Sequence, residues 1–197
     1  MSLPWCCPLS SSVSAEDKAW LDVHVDSIAW EALTVSVAAR NEDGRPAVLR
    51  MYPLRYDPKG RGSKEPIPWV NLYFLVCPKL ITAVGKLETS GLIDVFDEQI
   101  ETDPALAKRL ADDHRAYAAE RWSLLTAEDQ EYATMKHYDS TLRDSGICGM
   151  KYWKRVKCLH AHYAFYLANG RSSLVGSWVE EKLVQMKDAE AAALCTT

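Results

Sequence analysis

The sequence predicts an α+β protein, with a small antiparallel sheet from the N-terminal half covered by helices from the C-terminal half. Three observations predict it. Short β-branched and apolar runs separated by turn signals are confined to the stretch before Pro78. From Pro104 onward, long segments repeat apolar residues at helical spacing. Strands that come early and helices that come late favour segregated layers over alternating βαβ units. The composition agrees: 197 residues, 48% hydrophobic and 25% charged, are ordinary globular values that exclude disordered, collagen-like and coiled-coil chains.

In chain order, residues 1–13 carry Pro4, Pro8 and four serines and read as a flexible tail, leaving 14–197 as a single domain. Ser14 followed by Asp17 resembles a capping box, and Trp20, Val23, Ser27 and Trp30 continue at helical spacing to about Leu33. Thr34 to Ala39 reads as a strand, Asn41-Glu42-Asp43-Gly44 as a turn, and Ala47 to Leu54 as the returning strand. Asp57 to Pro66, with two Gly, two Pro and five charges, is a surface loop. Trp69 to Val76 is an apolar run of strand length. Cys77-Pro78 ends it and opens a helix through Leu87 to a Gly91 cap. Pro104 to Leu125, Ala127 to about Leu142, Lys154 to Asn169 and Val175 to Leu194 then read as four helices.

The net charge of −4 argues against a general nucleic-acid binder, and no apolar run reaches the roughly 20 residues of a membrane span. Of the six cysteines no two form C-x-x-C, which excludes a zinc ribbon or thioredoxin-like motif. With no signal-peptide pattern, the expectation is a cytoplasmic protein with reduced thiols.

Two segments carry the chemistry. Placed at about 100° steps on the helix from Pro104, Leu106, Leu110, Tyr117 and Leu124 form an apolar stripe, and His114 and Arg121 fall within about 80° of it. An inward guanidinium needs a partner. Either a carboxylate meets Arg121 in a structural ion pair, or Arg121 and His114 line a pocket for a phosphate or carboxylate. In the run from Lys151 to His162, the four cations Lys151, Lys154, Arg155 and Lys157 precede Cys158, His160 and His162. If Cys158 is helical it shares a face with His162; if it is extended it shares one with His160. The segment can be a plain packing helix or a polyanion contact. It can also be a metal site completed by Cys77, Cys148 or His114, or a Cys–His nucleophile pair whose thiolate nearby cations favour.

The run Lys157-Cys158-Leu159-His160-Ala161-His162 is similar to the signature of a mostly bacterial family, domain of unknown function 501. Pro68-Trp69-Val70-Asn71-Leu72-Tyr73-Phe74-Leu75-Val76-Cys77-Pro78 resembles its aromatic-rich segment ending in Thr-Cys-Pro. Leu87-Glu88-Thr89-Ser90-Gly91 resembles its Leu-Glu-x-Ser-Gly helix end, and His114-x-x-Tyr117-x-x-x-Arg121 a further pattern of the family. Arg40, Gly44 and Pro46 resemble an Arg-Cys-x-x-Gly-x-Pro motif, so the likeness spans about residues 35–180. It departs in three places: Asn41 stands for a Cys, Phe165 for a His, and Ser173-Leu174-Val175-Gly176 for Asn-Pro-Ile-Gly. The family's genes often lie beside those of an exopolyphosphatase-like enzyme and a septum-formation protein, which implies phosphate or cell-envelope housekeeping.

The resulting expectation is one pocket in which Cys77, His114, Arg121, Cys158 and His160 converge. Cys77, Cys158, His160 and His162 are the metal-ligand candidates, with zinc the expected ion. Arg121, Lys157, Arg40 and Tyr117 are the candidates for holding a small anionic ligand. Cys158, His160 and His114 are the catalytic candidates if the chemistry is hydrolytic. The alternative is a non-enzymatic scaffold or regulator whose seven Trp and nine Tyr anchor a protein partner.

Overall fold

In the computed structural model, which describes residues 13–25, 30–55 and 65–194, a three-stranded antiparallel sheet from the N-terminal half packs under the later helices, as predicted. The expected tail up to residue 12, Cys6, Cys7 and Cys195, and the loop residues 57–64 lie outside the described residues. Helix α1 (Ala15–His24) starts where the Ser14 hydroxyl accepts the Asp17 N–H at 3.1 Å. It ends at His24, short of the expected Leu33: Val25 leaves helical geometry at φ −127°, residues 26–29 lie outside the described residues, and Trp30–Leu33 form the single turn α2.

Strands β1 (Thr34–Arg40) and β2 (Pro46–Met51) form the predicted hairpin. In its turn Gly44 adopts φ 74°, and the Asn41 side-chain carbonyl accepts the N–H groups of Asp43 and Arg45. The returning strand stops at Met51, and β3 (Leu54–Arg55) pairs instead with β4 (Ile67–Pro68) as a separate ladder. Only β5 (Tyr73–Leu75) of the predicted Trp69–Val76 run is paired, antiparallel to β2, which gives the order β1-β2-β5. The middle strand buries both faces. Val48 joins the cluster of the C-terminal helices, whereas Leu49 and Met51 pack with Leu21, Trp30 and Leu33. The N-terminal helices thus cover the face that the later ones leave open.

After Cys77 come α3 (Pro78–Thr89) and α4 (Leu92–Thr102), joined at Gly91, whose φ of 82° suits a residue without Cβ. Helix α4 was not foreseen in the sequence; it buries Leu92, Phe96 and Ile100, spaced four apart. Helix α5 (Pro104–Ser123) is capped by Asp103, whose carboxylate accepts the Ala105 N–H. The helix expected from Ala127 to Leu142 is broken at His137, φ 58°, into α6 (Ala127–Met135) and α7 (Asp139–Arg143). Helix α8 (Leu159–Ala168) starts at Leu159 rather than at Lys154 and is buried on almost every side. It lies between the sheet and α9 (Leu174–Leu194). A Cβ on Gly176 would come within 2.1 Å of the Tyr166 Cβ, so that helix crossing requires glycine. Among the described residues no helix is long and apolar enough to cross a membrane.

One side of α5 fastens the loops. Tyr117 is fully buried and its hydroxyl accepts the Leu72 N–H at 2.6 Å. Arg121, 0% exposed, meets no carboxylate among the described residues. Its Nε donates to the Leu142 carbonyl and its terminal nitrogens to those of Val70, Thr141, Ser145 and Gly146, with Ser145 Oγ at 3.1 Å. Thr141 and Leu142 lie at the end of α7, where carbonyls lack helical partners and attract a cation. His114 Nδ1 accepts the Ile147 N–H at 3.0 Å. Its ring fills the space above Gly146, where a Cβ would lie 2.3 Å from Nδ1.

Gly146→Ala is therefore expected to destabilise the fold by about 2–3 kcal/mol through overpacking, and Arg121→Met by on the order of 4 kcal/mol through orphaned carbonyls; urea unfolding measures both. Burial lowers the His114 imidazole to about 4 and that of fully buried His162 to about 3. Both are neutral when folded, so below about pH 6.5 only the unfolded chain takes up their protons. Stability is expected to be complete above that pH and to fall as the pH drops toward 4. His162→Leu should flatten the fall in a pH series of urea midpoints.

Candidate functional site

The N-terminus of α8 gathers the reactive groups. Backbone N–H groups at this end have no helical carbonyl to bond, and acidic side chains from two other helices take them. Asp97 of α4 accepts the Val156 N–H at 2.7 Å, and Glu88 of α3 accepts the Leu159 N–H at 2.5 Å. These two bonds hold the chain extended through Cys158, φ −153° and ψ 116°, which is why the helix starts late. Of the two geometries open to the sequence, the extended one is realised, so Cys158 faces His160 and not His162.

Cys158 Sγ lies 4.0 Å from His160 Nδ1, which is 3.2 Å from Glu88 Oε1. Ligand atoms of Glu88, Cys158 and His160 all lie within 4.8 Å of one another, and all three side chains are half-buried. His160 Nε2 is 3.1 Å from the Ile81 carbonyl, which can only accept, so Nε2 carries a hydrogen and Nδ1 is turned toward the sulfur and the carboxylate. Cys148, half-buried on the turn Ile147–Gly149 with a left-handed φ of 57°, is the neighbour of Cys158.

These contacts polarise the groups. The Cys148 thiol, then the His160 ring and the Ala161 N–H hold Cys158 down at about 4 against the cost of burial. The Cys158 sulfur, together with burial, pushes the Cys148 thiol far up. His160 is raised to about 9, chiefly by Cys158. These shifts favour the thiolate on Cys158, the proton on His160 and the neutral thiol on Cys148. The preceding cations do not produce it: Lys151, Lys154 and Arg155 are exposed, and Lys157 Nζ approaches the Cys148 carbonyl at 3.4 Å instead.

The single pocket expected from the sequence does not form. Cys158 and His160 meet, but Cys77 caps α3 beside Asn41, whose amide donates to its sulfur at 3.9 Å, outside the Glu88 cluster. His162 is buried against His114, ring centroids 5.5 Å apart, and neither of its nitrogens has a partner among the described residues. Arg121 and Tyr117 spend their polar atoms on backbone, and Arg40 makes a two-pronged pair with Asp17 at 2.7 and 2.8 Å. His114 and Arg121 do bear on the site through the 141–147 segment, which delivers Cys148. Glu88 was missed in the sequence, although a carboxylate in the last turn of a helix is unfavourable there and signals an outside partner. Cys148 was one of three candidates to complete the site, but its left-handed backbone, which follows from the turn, was not legible in the sequence.

The family described as Protein of unknown function (DUF501) matches residues 37–181, more than half of the chain and including every residue of this cluster. The chain belongs to that family. No curated protein and no solved structure matches it.

A thiolate held near 4 predicts that iodoacetamide alkylates Cys158 at an almost constant rate from pH 8 down to about pH 5, where an ordinary thiol slows about tenfold per pH unit. His160→Ala is expected to move that profile toward neutral pH, read by peptide mass mapping.

Proposed function

We propose that this member of the family binds a divalent metal ion, zinc by the chemistry of its donors, through Glu88, Cys158 and His160. The observation that supports it is the orientation of His160. The Nε2–H bond to the Ile81 carbonyl leaves Nδ1 as the ligating atom, directed at a sulfur and a carboxylate. A ring nitrogen anchored to backbone with the other facing the ion is the usual arrangement of a metal-bound histidine. Thiolate, imidazole and carboxylate together suit zinc, and three protein ligands leave a position for water or a small anion. That open position is what a hydrolytic role would use. Lys157 is then the remaining cation for an anionic ligand, since the Arg121 guanidinium is surrounded by carbonyls. The ligand set requires reduced cysteines, in keeping with a cytoplasmic setting.

Elemental analysis and zinc titration of the untagged full chain test the proposal. One zinc per chain is expected. Cys158→Ser and His160→Ala are expected to lower affinity by about 100-fold and Glu88→Gln by about tenfold. A wild-type protein that binds no more zinc than Cys158→Ser overturns it and favours the scaffold alternative. Because His160 holds its proton up to about 9, zinc must displace it. The apparent affinity should therefore rise about tenfold per pH unit between roughly pH 6.5 and 9 and level off above.

A further inference from the structure

A groove between α5 and the loop that leads into α8 shares no lining residue with the Glu88 cluster. Its volume is about 490 Å³, it opens to solvent, and its walls are largely apolar. Helix α5 contributes Ala107 and Ala111, four residues apart and so on one face, and the loop contributes Tyr152 and Trp153. The loop is held at both ends and in its middle. The Gly146 N–H donates to the Met150 carbonyl at 2.7 Å, the Val156 N–H to Asp97 at 2.7 Å, and Trp153 Nε1 to the Met150 carbonyl at 3.1 Å. The Arg115 guanidinium lies over Trp153, 5.7 Å from the ring centroid. The groove is therefore built in advance of any ligand. Tyr152, at 81% exposed, is the most exposed large apolar side chain among the described residues. Three cations stand at the same groove: Lys108, Lys151 and Lys154. Asp112 engages Lys108 at 2.6 Å and Arg115 at 2.5 Å. Lys151 and Lys154 are exposed and have no carboxylate partner among the described residues.

We infer that this groove binds a single nucleotide, its base laid against Tyr152, Trp153 and the two alanines and its phosphates held by Lys151 and Lys154. The chemistry of the walls selects this class. An aromatic, apolar surface takes a flat ring by stacking, and lysines at its edge take phosphate oxygens. A bare polyphosphate leaves the aromatic walls unused, and an uncharged ring leaves the cations unused. An acyl chain needs an enclosed tunnel to leave water, whereas this groove is open. The volume is that of a small-molecule site. Two unpaired lysines on a chain of net charge −4 are too few to follow a nucleic-acid strand. No acid or amide side chain lines the groove to read a base edge, so the base is recognised by its face and ADP is a fair probe. The site uses no metal and does not rest on the zinc reading.

The test is titration calorimetry of the full chain with ADP in the presence of a chelator, so that a bound metal plays no part. ADP is expected to bind at least about tenfold tighter than pyrophosphate or adenosine, because only ADP engages walls and cations together. The double variant Lys151→Ala, Lys154→Ala is expected to weaken ADP about tenfold and Tyr152→Ser about fivefold. All three side chains are exposed, so these variants keep the fold. Cys158→Ser, which removes a zinc ligand, is expected to leave ADP affinity unchanged. The inference is overturned if ADP shows no binding at millimolar concentration, if pyrophosphate binds as tightly as ADP, or if the double lysine variant binds ADP like the wild type. Loss of ADP binding in Cys158→Ser overturns it by moving the nucleotide to the Glu88 cluster. A single-stranded RNA of about ten nucleotides that binds more than about a hundredfold tighter than ADP overturns it in favour of a nucleic-acid surface.

Discussion

The charge on Arg121 is the constraint around which the C-terminal half is arranged. Burial lowers the guanidinium only to about 10, so it remains charged at neutral pH in a position with no exposure. No carboxylate pairs with it among the described residues; backbone carbonyls of residues 70, 141, 142, 145 and 146 share the charge instead. Such a cage works only if every carbonyl is held in place, and so the Arg121 donors bring three parts of the chain together. The segment after the separate ladder, the end of α7 and the turn beyond it are all tied to the last turns of α5. His114 and Tyr117, two turns and one turn earlier, extend the same function to Ile147 and Leu72.

This fastening gives the chemistry its geometry. The reactive end of α8 is made of parts that arrive from four directions: Glu88 from α3, Asp97 from α4, Cys148 from the fastened turn, and Cys158 with His160 from α8 itself. The two acids serve the backbone first. By accepting the Val156 and Leu159 N–H groups they hold the chain extended through Cys158, and that conformation aims its sulfur at His160. Glu88 then has a second role, because the oxygen that accepts from Leu159 also lies beside His160. One carboxylate both delays the helix and completes the cluster.

The ligand atoms of Glu88 and His160 and the Cys158 sulfur all lie within 4.8 Å of one another. The buried His114–His162 pair behind the site contributes by staying neutral, and it ties the integrity of this region to a pH above the ordinary imidazole range.

The sequence alone determined the α+β class, the β1–β2 hairpin, the start of α1 and the extent of α5, because each depends on local periodicity, caps and turn residues. It also marked Cys158 and His160 as the centre of interest and restricted their pairing to two geometries. The choice between those geometries was made by Asp97 and Glu88, two side chains 59 and 71 residues away from the amides they hold. Likewise, the inward face of Arg121 was legible from helical spacing, but its partners were not. Backbone carbonyls carry no sequence signature, and only the path of the loops shows where they converge. Side-chain pattern reports what a residue needs; long-range contacts, whose partners are distant in the chain, decided what met that need.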